Sequence, residues 1–401
     1  MTLAAHLHAR LSALGLPCKI VGDEVHVVRD PQPVKIRVDD EWRTAFQHYK
    51  RARSLAFDLE TRTLQHNNSI EVLVTRLAPA HVLTPDTYTL SDSAGNTVTV
   101  GPASHAFGLA FFDSSEYESF FNLRVKKRLL ETLIFNRRLP QVIWMPTTAV
   151  YTHKGRKTPV DLKELALSAI RASLFKIAVE QHDCLSLWKP RKRRLKHLYL
   201  PDTREDSSIP RAAYDENVIS YYKVAKASPF PSQSFLAYYH VLEYYFLRVS
   251  ELLLHDRLTA MLNNPGFRAS RESLDKVISA VRGQDSRSDE TEMLRNVLER
   301  FVQEVELIDF IHEFEELVGD KIYSKRRLVF GEQLQISPLK DHALANAAKL
   351  LKHVRNAIVH SSDRYKREDC HIPLSESEDV IEEFIPLVRF FAERVIFGTA
   401  T

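Results

Sequence analysis

An arginine and a histidine near residue 355 carry side chains suited to chemistry on a phosphate ester. The stretch reads Arg355-Asn356-Ala357-Ile358-Val359-His360, so four residues separate the two. Arginine presents forked N–H donors that match phosphate oxygens, and histidine can accept and release a proton near neutral pH. The spacing alone selects nothing, because pairs separated by four to six residues also occur at Arg43–His48, Arg76–His81, Arg191–His197, Arg248–His255 and Arg364–His371.

Context distinguishes the pair at 355 and 360. It lies near the end of a predicted helix over about 341–361, and an asparagine follows the arginine. On that helix one apolar stripe would be formed by Leu344, Ala347, Leu351, Val354 and Ile358. The opposite, polar face would carry Lys349, His353, Asn356 and His360. Arg355 would lie at the edge of the core and diverge from His360 by about 140°, so the two meet on one phosphate only if the helix ends there or a second copy contributes.

Two segments resemble the HEPN ribonucleases of bacterial defence and toxin systems. One is the string at 355–360, which follows a long amphipathic helix and precedes a polar loop and a last helix. The other, Phe235-Leu-Ala-Tyr-Tyr-His-Val-Leu-Glu-Tyr-Tyr-Phe246, is similar to the first bundle helix of the Apea-like branch. The resemblance covers the chain from about residue 232 onward. It implies an α-helical ribonuclease domain that forms a homodimer with a composite site.

The chemistry implied by this resemblance needs few groups. His360 would take the proton from a ribose 2′-hydroxyl, which attacks the adjacent phosphate and leaves a 2′,3′-cyclic end. Arg355 would stabilise the charge that develops on the phosphate oxygens, and Asn356 would orient the histidine or the phosphate. No cofactor or metal is expected.

Glu243 is a further candidate site residue. It falls between Tyr239, Leu242 and Phe246 on the apolar side of its helix, where an unpaired carboxylate would be costly. We therefore expect a cationic partner, and Arg355 is the natural one. A structural ion pair and a supporting role in the active site are both open.

Two basic segments are candidates for RNA contacts. One follows residues 355–360, which we call the motif, and contains Arg364, Lys366 and Arg367. The other contains Lys192, Arg193 and Arg194, with Trp188 and Tyr199 nearby to stack on bases. A solvated linker is the alternative interpretation of the second segment.

The N-terminal half reads as mostly strand. Cys18–Val21 and Glu24–Val28 flank a Gly-Asp turn and predict a hairpin, and similar alternation recurs at Ile70–Arg76 and Asn96–Val100. One helix is predicted over 125–136 and another from Thr158 to about Glu180. A polar stretch bounded by prolines, 201–210, predicts the domain boundary.

The C-terminal half predicts a helical bundle. Long segments with helical periodicity cover about 233–262, 289–318, 341–361 and 376–396, with a shorter one at 270–281. The expected fold is therefore α+β: a β-rich N-terminal sensor or regulatory domain over 1–200, followed by a helical HEPN domain over 207–401.

Composition sets wider limits. The 401 residues are 44% hydrophobic and 27% charged, typical of a folded protein, and the formal charge of +3 leaves nucleic-acid binding to local patches. Three separated cysteines suggest neither a disulfide framework nor a zinc site.

We expect a cytoplasmic homodimer that cuts tRNA or single-stranded RNA, with a possible regulatory partner or phage-derived trigger. A silent HEPN scaffold and a nucleotide- or nucleic-acid-sensing dimer are the alternatives.

Overall fold

The computed structural model describes residues 1–30, 32–52, 54–78, 87–131, 134–155, 159–190, 195–200, 211–286, 289–337, 342–360 and 370–401. The chain forms two compact units, Met1–Pro190 and Arg191–Thr401. Residues 195–200 therefore belong to the second unit, whereas the sequence assigned them to the first domain. The reason is a long-range contact: the guanidinium of Arg389 donates to the carbonyls of Lys196 and Leu198.

Two β-sheets form the strand-rich part of the first unit. Its strands are β1 (Cys18–Val21), β2 (Glu24–Val27), β3 (Val34–Arg37), β4 (Ala56–Asp58), β5 (Thr63–His66), β6 (Ser69–Arg76), β7 (Tyr88–Ser91), β8 (Thr97–Pro102), β9 (Asn136–Arg138), β10 (Thr147–Thr152) and β11 (Leu185–Leu187). One sheet has the order β1-β2-β3-β9, and the other the order β4-β5-β6-β10-β8-β7 with β11 also paired to β6. The predicted hairpin is confirmed as β1–β2, turning at Gly22 with φ of 60°.

Helices make up more of the first unit than the sequence indicated. They are α1 (Leu3–Ala13), α2 (Asp40–Arg51), α3 (His105–Asp113), α4 (Tyr117–Phe120), a π-helical turn (Phe121–Val125), α5 (Lys126–Glu131) and α6 (Leu162–Gln181). The expectation of one helix between the strands was wrong. Helix α3 is buried on nearly all sides, from Phe107 to Phe112, so it lacks the polar face that identifies a helix by periodicity. The helix expected over 125–136 is also too long, because Asn136 begins β9.

The second unit is a helical bundle, as predicted. Its elements are α7 (Glu216–Ala227), α8 (Pro231–Glu243), α9 (Phe246–Leu262), α10 (Arg271–Ser286), α11 (Glu290–Phe301), α12 (Glu304–Val318), a small hairpin of β12 (Arg327–Val329) and β13 (Glu332–Leu334), α13 (Ala343–Val359) and α14 (Ser377–Thr399). Helix α7 and the hairpin were not predicted.

Two of the predicted long helices are each interrupted once. The segment expected at 233–262 divides at Tyr244–Tyr245 into α8 and α9, and the segment at 289–318 divides at Val302 into α11 and α12. Tyr245 and Val302 are buried. Each break therefore directs one side chain into the core, whereas a continuous helix would point that side chain elsewhere.

Helix α14 lies at the centre of the bundle core. Its buried side chains include Phe384, Ile385, Val388 and Phe391, which join one cluster with residues of α8, α11 and α13. Within the described residues, no helix combines the length and the apolar character needed to cross a membrane.

Candidate active site

The motif residues lie at the C-terminal end of α13. Leu344, Ala347, Leu351 and Val354 are buried, as the predicted stripe requires, and Ile358 packs against the same core. The helix ends at Val359, and His360 is its C-cap, with φ of −106° and ψ of 72°. The motif helix therefore ends immediately before the histidine, so Arg355 and His360 are not held in the fixed relation of one continuous helix.

Arg355 is held by two carboxylates from different helices. Its Nη2 lies 3.3 Å from Oε1 of Glu243 at the end of α8, and its Nε lies 3.5 Å from Oε1 of Glu290 at the start of α11. The Nη1 donates to Oδ1 of Asn356 at 3.2 Å. Each of the three charged side chains is about a quarter exposed, at 23%, 26% and 25%. The predicted ion pair between Arg355 and Glu243 is confirmed as a contact.

Both acids lie at helix ends, where the helix dipole acts on their charge. Glu290 is the first residue of α11, where the helix dipole favours a negative charge. Glu243 is the last residue of α8, where the dipole disfavours one, so that carboxylate depends on a cationic neighbour. Glu290 could not be found from the sequence, because an acid at a helix start is favourable without any further partner.

Tyr239 and His240 extend this cluster along α8. The Tyr239 hydroxyl donates to Oε1 of Glu290 at 3.1 Å, and burial, reinforced by the charge of Glu290, raises the pKa of this phenol. The Nε2 of His240 lies 3.6 Å from Oε2 of Glu243, and its ring meets Tyr221 edge-on at 5.4 Å. We call Tyr239, His240, Glu243, Glu290 and Arg355 the Arg355 cluster. It sets the single positive charge of Arg355 against the two carboxylates.

His360 is exposed and separate from this cluster. Its backbone N–H donates to the Asn356 carbonyl at 2.8 Å, and its carbonyl accepts from the Cys370 thiol at 3.6 Å. Within the described residues, no hydrogen bond or ion pair joins the imidazole to Arg355. The fold therefore brings together Arg355, Asn356 and Glu243 but leaves His360 outside that group.

His371 contacts the end of α13 and the start of α14. Its backbone N–H donates to the carbonyl of Ala357 at 3.1 Å, and its Nδ1 lies 2.8 Å from Oγ of Ser377 at the start of α14. Its Nε2 lies 3.4 Å from Oε1 of Glu378. Burial lowers the pKa of His371. His371 therefore joins the last turn of α13, through its backbone N–H, to the first turn of α14, through its buried imidazole.

Part of the predicted polar face of α13 is covered. Glu332 of the β12–β13 hairpin pairs with Lys349 at 2.5 Å and with Nδ1 of His353 at 3.2 Å. The Nε2 of His353 also lies 2.8 Å from the Val329 carbonyl. His353 is therefore a structural contact that holds the hairpin on the helix.

All six predicted RNA-binding residues lie outside the described residues: Lys192, Arg193, Arg194, Arg364, Lys366 and Arg367. The two aromatic residues expected beside the 192–194 segment make contacts within the fold. Trp188 lies against the guanidinium of Arg62, 4.2 Å from the ring centroid, and Tyr199 lies against that of Arg389 at 3.8 Å. They also belong to different units, so they do not form one platform for RNA bases within a unit.

Comparison with protein-family models, with curated proteins and with solved structures found no significant match for this chain. The function is therefore inferred from the residues and their geometry.

Proposed function

We propose that the second unit is a metal-independent endoribonuclease of HEPN type that acts in anti-phage defence or in toxin-like growth arrest. The observation that carries the proposal is the arrangement at the end of α13: a partly exposed arginine, fixed by contacts to two other helices, within six residues of an exposed histidine. These are the two groups needed for attack of a ribose 2′-hydroxyl on its own phosphate.

Arg355 supplies the phosphate contact. A guanidinium has five N–H donors, and the contacts with Glu290, Asn356 and Glu243 involve Nε, Nη1 and Nη2 in turn. One N–H on each Nη remains for two phosphate oxygens. The carboxylates therefore orient the arginine and leave its forked face able to bind the substrate.

His360 supplies the proton transfer. It is exposed beyond the end of the helix, so an RNA backbone can reach it, and it takes the 2′-hydroxyl proton as that oxygen attacks. The P–O5′ bond breaks as the new bond forms and the leaving 5′ oxygen takes a proton from water, so the products are a 2′,3′-cyclic phosphate and a free 5′-hydroxyl. Because no hydrogen bond or ion pair joins the side chains of Arg355 and His360 within the described part of the chain, we assign the active form to a homodimer in which the two motifs face each other.

One observation favours a different function. The Arg355 cluster has an excess of negative charge, which opposes binding of a phosphate. A catalytically silent helical scaffold would need Arg355 only to neutralise Glu243 and Glu290. This second candidate predicts that Arg355 affects stability alone and that His360 can be replaced without consequence.

Cleavage in excess EDTA separates the two candidates. Total tRNA and a labelled single-stranded RNA are incubated with the wild type, Arg355→Ala, His360→Ala and the control His255→Ala, which removes an exposed histidine of α9. The proposal predicts cyclic-phosphate products from the wild type and the control, and loss of about 10²-fold or more in the other two. Toxicity on overproduction should follow the same pattern.

Two results would contradict the ribonuclease proposal. One is equal cutting by all four proteins. The other is toxicity of the wild type that persists in His360→Ala. Because His360 is exposed, its replacement should leave the fold intact, so lost activity in that variant cannot be attributed to unfolding.

A further inference from the structure

A cleft in the first unit lies between the outer strands β7 and β8 and the C-terminal half of α6. Its volume is about 630 Å³, within the range of small-molecule sites. The floor is formed by Leu90, Val98 and Tyr151, which neighbour one another across β7, β8 and β10. This cleft lies in the first unit, whereas the Arg355 cluster lies in the second.

The residues of α6 explain why the space is open. Ile170 and Leu174 are buried in the core that α6 shares with the sheet. Toward β7 the same helix presents Ala169, Ala172 and Ser173, which line the cleft. Small side chains there leave a gap above the outer strands that larger ones would fill.

Among the described residues, the Tyr151 hydroxyl of this floor has no hydrogen-bond partner. The residue is 2% exposed, and its hydroxyl makes no hydrogen bond with any described residue. Its neighbour Tyr88 differs, because the Tyr88 hydroxyl donates to Asp183 at 2.9 Å. A buried hydroxyl without a partner is destabilising, so a ligand that accepts from Tyr151 would supply a missing interaction.

Charges at the rim limit the ligand further. Asp92 and Glu180 contribute two carboxylates, and Lys176 contributes one ammonium, which lies 3.7 Å from Glu180. The rim is therefore negative by one charge, which disfavours phosphorylated ligands. Burial, reinforced by the charge of Asp92, raises the pKa of Tyr151, so the phenol remains a neutral donor at neutral pH.

We propose that this cleft binds an uncharged nucleobase or nucleoside. The edge of a nucleobase places a hydrogen-bond acceptor beside a donor, which matches the hydroxyl of Tyr151 and the carboxylate of Asp92. The flat faces of the base suit the apolar floor and the small residues of α6. The remaining volume accommodates a ribose, whose hydroxyls face Ser173 and Gln181 at the wall.

Isothermal titration of the full chain with adenosine, guanosine, cytidine and uridine, and with their 5′-monophosphates, tests this site. We expect at least one nucleoside to bind, and its monophosphate to bind at least tenfold more weakly. Tyr151→Phe should weaken nucleoside binding about tenfold, as expected for loss of one hydrogen bond, without lowering the melting temperature. The matched control is Tyr221→Phe in the second unit, which should bind as the wild type does.

Ser173→Trp places a large ring over the cleft from α6 and should abolish binding. The proposal is overturned if no nucleoside binds the wild type at millimolar concentration, if Tyr151→Phe binds as tightly as the wild type, or if a monophosphate binds more tightly than its nucleoside. None of these outcomes depends on RNA cleavage, so they test the cleft independently of the ribonuclease proposal.

Discussion

The Arg355 cluster in the second unit and the Tyr151 cleft in the first unit differ in how their polar groups are satisfied. In the cluster, Arg355 contacts two carboxylates and an amide, and Tyr239 donates to one of those carboxylates. In the cleft, the Tyr151 hydroxyl has no hydrogen bond among the described residues. Replacing a member of the cluster leaves its partners without a counter-charge or a hydrogen bond, whereas removing the Tyr151 hydroxyl breaks no hydrogen bond among the described residues.

The two units can be observed separately during unfolding. All three tryptophans, Trp42, Trp144 and Trp188, lie in the first unit, so tryptophan fluorescence reports on that unit. Most of the long helices lie in the second unit, so it dominates the far-ultraviolet circular dichroism. Urea titrations followed by both signals therefore assign a change in stability to one unit.

Arg355→Ala should give the largest effect. It leaves Glu243 and Glu290 without their cation, and because these groups are about a quarter exposed, we expect the free energy of unfolding to fall by about 1–3 kcal/mol. The loss should appear in the circular dichroism transition and not in the tryptophan transition. Arg300→Ala, which removes an exposed arginine of α11, is the matched control.

A companion variant sharpens this result. Adding Glu243→Gln and Glu290→Gln to Arg355→Ala removes the unpaired negative charges and should restore part of the lost stability. If the triple variant is as unstable as Arg355→Ala, the unpaired carboxylates are not the cause of the lost stability.

His371 should give a smaller effect that depends on pH. Burial lowers its pKa in the folded state below the ordinary value of 6.5, so the unfolded chain binds the proton more tightly. The contribution of His371 is therefore fully present above about pH 6.5 and is lost as the pH falls through the folded pKa. Circular dichroism unfolding at pH 7.5 and 5.5 should show a larger decrease for the wild type than for His371→Gln. Equal decreases in the two proteins would remove His371 as a cause.

Tyr151→Phe should give the smallest effect, with the opposite sign to Arg355→Ala. It removes a buried hydroxyl that has no hydrogen-bond partner in the described part of the chain, so the free energy of unfolding in the absence of ligand should stay the same or rise by at most about 1 kcal/mol. The tryptophan transition measures it. Tyr88→Phe is the contrasting variant, because its hydroxyl bonds to Asp183, and it should destabilise the first unit. A clear loss in Tyr151→Phe would show that its hydroxyl already has a structural partner.

The fold could be predicted best where the determining residues are close together in sequence. The β1–β2 hairpin follows from a turn dipeptide between two alternating segments, and α13 follows from its apolar stripe. Helix α3 could not be found this way, because burial on all sides removes its periodicity. The breaks at Tyr245 and Val302 were missed because core packing determines them.

In the candidate site, too, contacts could be predicted only where the sequence carries a local signal. Glu243 on an apolar helix face required a cation, and this local conflict was enough to predict its contact with Arg355. Glu290 carries no such signal, since an acid at a helix start is favourable without any further partner. The separation of His360 from Arg355 depends on whether α13 ends before or after His360, and sequence patterns place a helix end only to within one or two residues.

The sequence by itself determined the α+β class, the helical second unit, the motif helix and the need of Glu243 for a cation. Tertiary structure alone decided the boundary between the units, the second carboxylate on Arg355, the covering of His353 and the cleft above Tyr151. The physical reason is the range of the interactions. Helix periodicity and turn geometry are fixed by residues a few positions apart, whereas the partners of a side chain and the space above a sheet depend on segments that meet only when the chain folds.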